Sequence, residues 1–353
     1  MNEKSVSGAA DGLFTILSIS ALDSIDMKRV NGYNMNSNLK MNFKMEALMK
    51  KIIALTLYVL CLSGFACAEG LDVVATNFPC YDFARQVAGE MAEVTMLIRP
   101  GTEVHAFEPS PSDILTIGDA DLFVYVGGES DAWADDILES FDDRLRTVRL
   151  MDHVSLLEEE HYEGDGHAHH HHHDHGELAL DEHIWTSPKN ALQMLRAVED
   201  ALCAASPENE ETFRVNANEY AAQIEALDAQ LQHIVAEAKR HTLLVADRFP
   251  FLYMAHDYGL EYSAAFTSCA SETEPSAKKL VELIENIRAD EIPVVYTIEM
   301  STGNIARTLA EETGAEIMEL HSAQTVRQSE FDAGESYVSL MKKNLAAIEK
   351  GLN

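Results

Sequence analysis

The sequence predicts an α/β protein of two lobes, each a parallel sheet flanked by helices, joined by one long rigid helix. Three observations carry this. Short β-rich runs alternate with amphipathic segments from Leu71 to Val126, the order that places helices over the faces of parallel strands. Between about Pro188 and Arg240 no strand-like run occurs, only helix formers with apolar residues at helical spacing. The strand–helix alternation then resumes and continues through the rest of the chain.

In order, Leu71–Thr76 reads as a strand, Tyr81–Gly89 as a helix and Glu93–Ile98 as a strand. Pro111–Asp119 is helical and Leu122–Val126 a buried strand, by apolar periodicity and β-branched content. Pro207 follows Ser206, the arrangement of cap then proline that opens a helix. The stretch to Arg240 then forms one helix of about 50 Å. Beyond it come strand Thr242–Ala246, helix Pro250–Tyr258, strand Glu261–Phe266 and helix Ser276–Asp290. Strand Val294–Ile298, helix Asn304–Thr313, strand Glu316–Leu320 and helix Glu335–Gly351 close the pattern. The expected division is an N-terminal lobe over 69–206, a connecting helix over 207–240 and a C-terminal lobe over 241–353.

The chain has 353 residues, 46% hydrophobic and 24% charged, with a formal net charge of −33. Such a chain can bury two cores. Its acidic balance repels polyanions and attracts cations, so nucleic acid is a poor partner. Near the start, Met49-Lys50-Lys51 precedes an apolar run from Ile52 to Phe65, and Ala66-Cys67-Ala68 follows. That is the layout of an export signal over 49–68, cleaved before Glu69. Residues 1–48 match no targeting signal and read as an upstream extension. A lipid anchor on Cys67 is the second reading. Cys80, Cys203 and Cys269 remain, none in a Cys-x-x-Cys pair, so neither a thiolate site nor a disulfide framework is predicted.

The segment 161–176, HYEGDGHAHHHHHDHG, holds His161, His167, His169, His170, His171, His172, His173 and His175. Imidazoles at this density bind borderline divalent metals, and the lack of apolar residues predicts a loop. Three further stretches stand out: GTEVHAFEPSPSD (101–113), DEHIWTSPKNA (181–191) and ELHSAQTVRQSEFDAGESYVSLMKKNL (319–345). Together with the long central helix they resemble the zinc- and manganese-binding proteins of metal ABC importers, from Leu71 to Leu352.

The resemblance implies a metal held between the lobes by loops at the carboxyl ends of strands, where open α/β sheets place ligands. It points to His105 and His183 as ligands, with His321 at the family's fourth position and Gln324 as the alternative there. Arg248 falls at the third ligand position, and a guanidinium cannot ligate a cation. Water or Asp247 would then complete a tetrahedron, with Arg248 paired to Glu299 or Asp247. Three imidazoles favour zinc over manganese. The expected role is an exported zinc-binding protein that serves an ABC permease as a monomer. A manganese-binding homologue or a surface adhesin on the same fold is the alternative. An exported zinc hydrolase ranks lower, because no His-Glu-x-x-His or Gly-x-Ser-x-Gly occurs and the chain is not predicted to be an enzyme.

Overall fold

The computed structural model describes residues 45–46, 48–53, 70–141, 145–159, 180–266 and 275–353. The chain divides into two compact units, Met1–Ala68 and Glu69–Asn353. In the first, residues 45–46 and 48–53 are helical. The expected cleavage site, Cys67, Cys269 and the His-rich segment lie outside the described residues. No helix among the described residues is long and apolar enough to cross a membrane.

The second unit contains two four-stranded parallel sheets. The first is built from β1 (Leu71–Ala75), β2 (Ala92–Met96), β3 (Leu122–Tyr125) and β4 (Arg146–Arg149), in spatial order β2-β1-β3-β4. The second comprises β5 (Thr242–Val245), β6 (Glu261–Ala264), β7 (Val294–Thr297) and β8 (Glu316–Glu319), in order β6-β5-β7-β8. The two sheets therefore share one topology, which the sequence shows only as a common strand–helix grammar. β4 was not foreseen. It is an edge strand whose Arg146 and Arg149 interrupt the apolar signal, as charges on exposed edges do.

Helices α1 (Phe78–Ala88), α2 (Pro111–Asp119), α3 (Ala132–Leu138) and α4 (Pro188–Ala205) belong to the first sheet's half of the unit. Helix α1 starts where Asn77 accepts the Cys80 backbone N–H, with a proline in its first turn. Ser110 and Asp113 form a capping box on α2, satisfying backbone donors that a helix start leaves unpaired. The connecting helix α5 runs Glu210–Glu237, shorter than expected. Its first residues, Pro207–Asn209, form a 3₁₀ turn, so the rod measures about 42 Å. Its buried stripe is Phe213, Ala217, Tyr220, Ile224, Leu227 and Leu231, spaced to face one side of a helix. Helices α6 (Leu252–Tyr258), α7 (Ala277–Ala289), α8 (Asn304–Thr313), α9 (Gln328–Asp332) and α10 (Tyr337–Leu352) complete the second half.

One apolar core runs from β1 and α1 through α4 and α5 into β5 and α10, so the two halves share their interior. Smaller clusters cover the outer face of each sheet, around Ile117 and Phe123 in one and Leu283 and Val295 in the other. Buried polar contacts tie the halves together. Asp82, fully buried, accepts from Tyr220 Oη and, at 2.9 Å, from the Tyr337 backbone N–H. Arg85 pairs with the same carboxylate at 2.8 Å. Trp185 Nε1 donates to the Ser322 carbonyl at 2.8 Å, and Tyr337 Oη donates to the Trp185 carbonyl at 2.8 Å. Phe251 and Tyr253 are buried in the core, and Phe249 stacks on Tyr262 at 3.8 Å.

Candidate metal centre

The carboxyl ends of both sheets border one cavity of about 120 Å³, lined among others by His105, His183, Arg248, Glu299, Met300 and Gln324. His105 lies between β2 and α2, and His183 sits just before the turn Ile184–Thr186 that leads into α4. Their rings stand 5.7 Å apart. With Glu182 they form a group whose ligand atoms all lie within 4.8 Å of one another.

Each imidazole is oriented from behind by a carboxylate. His105 Nδ1 is 2.9 Å from Glu103 Oε1, and His183 Nδ1 is 3.2 Å from Asp181 Oδ1. A carboxylate is an acceptor, so in the neutral ring the Nδ1 atom carries the proton and Nε2 offers its lone pair. This pairing fixes the tautomer and raises ligand basicity, as behind metal-bound histidines. The contact with His105, reinforced by Arg248, holds the Glu103 carboxyl below its usual pKa although partial burial opposes it. His105 Nε2 is buried without a hydrogen bond, 3.3 Å from Glu182 Oε1. A lone pair and a carboxylate oxygen facing each other at that distance repel unless a proton or a metal ion lies between them.

Glu182 is the residue that the sequence argument passed over. Its carboxylate is held by Ser130, through the backbone N–H at 2.8 Å and through the hydroxyl. Gly128 makes this approach feasible, because a Cβ there would lie 2.3 Å from Glu182 Cβ. The signal available was Gly127-Gly128-Glu129-Ser130 immediately after β3. Two glycines at a strand's carboxyl end mark a close approach. A second recess of about 30 Å³ is bordered by His105, Glu182 and His183 together with Glu159 and Leu180. The chain on either side of the His-rich segment therefore leaves from and returns to this group.

The expected cluster of three imidazoles is not assembled. His321 belongs to a separate group with Glu319 and Glu330. Its Nδ1 accepts the Ala323 backbone N–H at 2.9 Å, its own N–H bonds Asn344 at 2.8 Å, and Nε2 stands 3.6 Å from Glu330. These bonds turn the ring into the lobe and brace a left-handed turn at Ala323 (φ 61), a conformation that non-glycine residues avoid. Burial alone would lower the His321 pKa, but Glu299, Glu330 and Glu319 outweigh it and raise it. Contact with His321 draws Glu330 down to about 2. It is Gln324, just past the turn, that lines the cavity.

Two other expectations differ in their partners. Arg248 pairs with Glu103 of the opposite half at 3.6 Å, not with Glu299 or Asp247. Glu299 is instead taken by the Ser322 backbone N–H at 2.7 Å and its hydroxyl. Asp247 accepts from Ser301 Oγ and the Arg248 backbone N–H and is absent from the cavity lining. Cys80 and Cys203 are buried and free, and neither belongs to the group around His105.

The comparisons with known proteins agree with this fold. Residues 73–351 match the family described as zinc-uptake complex component A, periplasmic. The chain is 35% identical over 312 residues to the zinc-binding lipoprotein AdcA of Streptococcus pneumoniae, covering 86% of this chain and 61% of that protein. It thus spans about three fifths of that relative. It is 32% identical to the high-affinity zinc uptake system protein ZnuA of Bacillus subtilis, covering 82% of this chain and 90% of that one. The crystal structure of the Zn(II)-bound ZnuA-like domain of AdcA from Streptococcus pneumoniae superposes with a TM-score of 0.67 at 33% identity, over 80% of this chain and 99% of the domain. Two parallel-sheet halves and one long helix are shared with these structures, and the match over residues 73–351 shows that the chain belongs to the zinc-uptake complex component A family.

Proposed function

We propose that this protein is the exported solute-binding component of a zinc importer, taking zinc outside the cytoplasmic membrane and passing it to an ABC permease. The observation that carries this is the pair of imidazoles His105 and His183, each backed by a carboxylate at Nδ1 and gathered with Glu182. Two histidines and a carboxylate are a zinc donor set with one position left open. The relatives named for zinc binding and zinc uptake support the choice of metal. The protein works as a monomeric carrier, not a catalyst, and the AdcA relative's description as a lipoprotein favours anchoring at the membrane surface. The His-rich segment collects metal next to the centre, because Glu159 and Leu180 border the same group. His321 and Asp247 are read as supports of the surrounding loops.

The test is zinc stoichiometry by elemental analysis after removal of residues 161–176. One tightly held zinc is expected, and none once His105 and His183 are both changed to Ala. Loss of all tight binding on removal of the segment alone would refute the assignment.

A further inference from the structure

The cavity is bipolar. One wall offers electron pairs from His105 and His183 with Glu182 beside them. The other wall offers N–H groups. Arg248 has five side-chain donors, yet among the described residues its guanidinium makes a single charge contact, with Glu103 at 3.6 Å. That is beyond hydrogen-bond length. Gln324 Nε2 is buried and has no hydrogen-bond partner. Both residues line the cavity with the two histidines.

A bare divalent cation suits the first wall but leaves the N–H donors of the second without an acceptor, since the Glu299 carboxylate that also lines the cavity is bonded to Ser322. A zinc ion on His105, Glu182 and His183 keeps a net positive charge and a vacant fourth position. Arg248 adds a further positive charge facing it, and buried donors on Gln324 stay unsatisfied at a cost. A small anion on the metal would resolve all three mismatches. A carboxylate fits best, because its second oxygen accepts from the planar guanidinium fork while the first meets the metal.

We infer that the cleft takes zinc together with a small carboxylate co-ligand, the metal on His105, Glu182 and His183 and the carboxylate on Arg248 and Gln324. This rests on the reading of the cleft as the metal centre. Arg248 is then a specificity-determining residue that selects the metal–carboxylate pair over the naked ion. No bond to carbon forms or breaks; the anion replaces water in the metal's coordination shell.

The experiment uses the full chain loaded with cobalt(II), whose visible absorption reports coordination, in carbonate-free buffer titrated with formate. The cleft signal is defined as the part of the spectrum lost in His183→Ala. Formate is expected to change that part saturably. Its apparent affinity should fall about tenfold or more in Arg248→Met and in Arg248→Gln, and less in Gln324→Leu. Each variant is read against its own formate-free spectrum, and the glutamine variant serves if the methionine variant fails to fold. A cleft spectrum indifferent to formate overturns the inference, as does an equal response with and without Arg248. A response to bicarbonate and none to formate overturns the carboxylate assignment. If His183→Ala leaves the cobalt spectrum intact, the metal centre itself is misplaced, which is a different failure.

Discussion

Asp181 gives the sharpest test of how the centre is built. Its Oδ1 accepts the His183 backbone N–H at 2.8 Å and lies 3.2 Å from Nδ1 of the same residue. One carboxylate oxygen thus fixes both the backbone and the ring of His183, a ligand in the proposed centre. Losing such a partner lowers metal affinity by about 10–100-fold, or roughly 1.4–2.8 kcal/mol. Asp181→Asn keeps the acceptor oxygen and the shape and removes only the charge, so it belongs near the lower end. Asp181→Ala removes orientation as well and belongs near the upper end. Zinc affinity is measured by competition with a chromophoric chelator in protein lacking residues 161–176, with thermal unfolding recorded on the same samples. An alanine variant that binds zinc within twofold of the parent would refute the argument that the ring is oriented from behind.

His321→Ala should lower stability, because the Ala323 N–H loses its acceptor, and should change zinc affinity by less than about threefold; a loss matching that of His183→Ala would return His321 to the ligand set. Tyr220→Phe removes a buried hydrogen bond to the Asp82 carboxylate and should cost about 1.5–3 kcal/mol in urea unfolding. Two carboxyls, the half-buried Glu330 and the buried Asp131, should give opposite pH signatures in stability measurements. Glu330, drawn down to about 2 from 4.5, contributes stability that is complete above pH 4.5 and lost as pH falls toward 2, so Glu330→Gln flattens that limb. Asp131 is pushed up to about 6 from 3.8, chiefly by burial, so its contribution is complete below 3.8 and lost as pH rises through 6. Asp131→Asn should therefore gain on the parent as pH climbs through that window, and a gain in the other direction would contradict the shift.

What was legible in the sequence was local. Every strand but β4 was read from a short β-rich run, and Pro111–Asp119 and Asn304–Thr313 emerge with the boundaries expected. His105 and His183 were legible because each sits in a distinctive motif at a strand's carboxyl end. The placement of His321 was not legible, since it depends on a left-handed turn at Ala323 and on a bond from its backbone N–H to Asn344, a residue 23 positions away. Glu182 was overlooked because its support, Ser130, lies 52 residues earlier. The partner of Arg248 was missed for the same reason: Glu103 comes from the other half, and a sequence read in windows sees only Asp247 beside it.

The buried knot around Asp82, Tyr220 and Tyr337, together with the core that both halves share, has a kinetic consequence. Swinging the halves apart would break several desolvated hydrogen bonds at once, so a wide hinge is a costly route for loading. On the proposed reading, traffic through the cleft would be governed by ligand exchange at the metal: how fast a water or an anion leaves, and how fast an imidazole lets go. For such a stiff carrier, the dwell time of zinc should follow the acidity and the competing donors at its exit more closely than solvent viscosity.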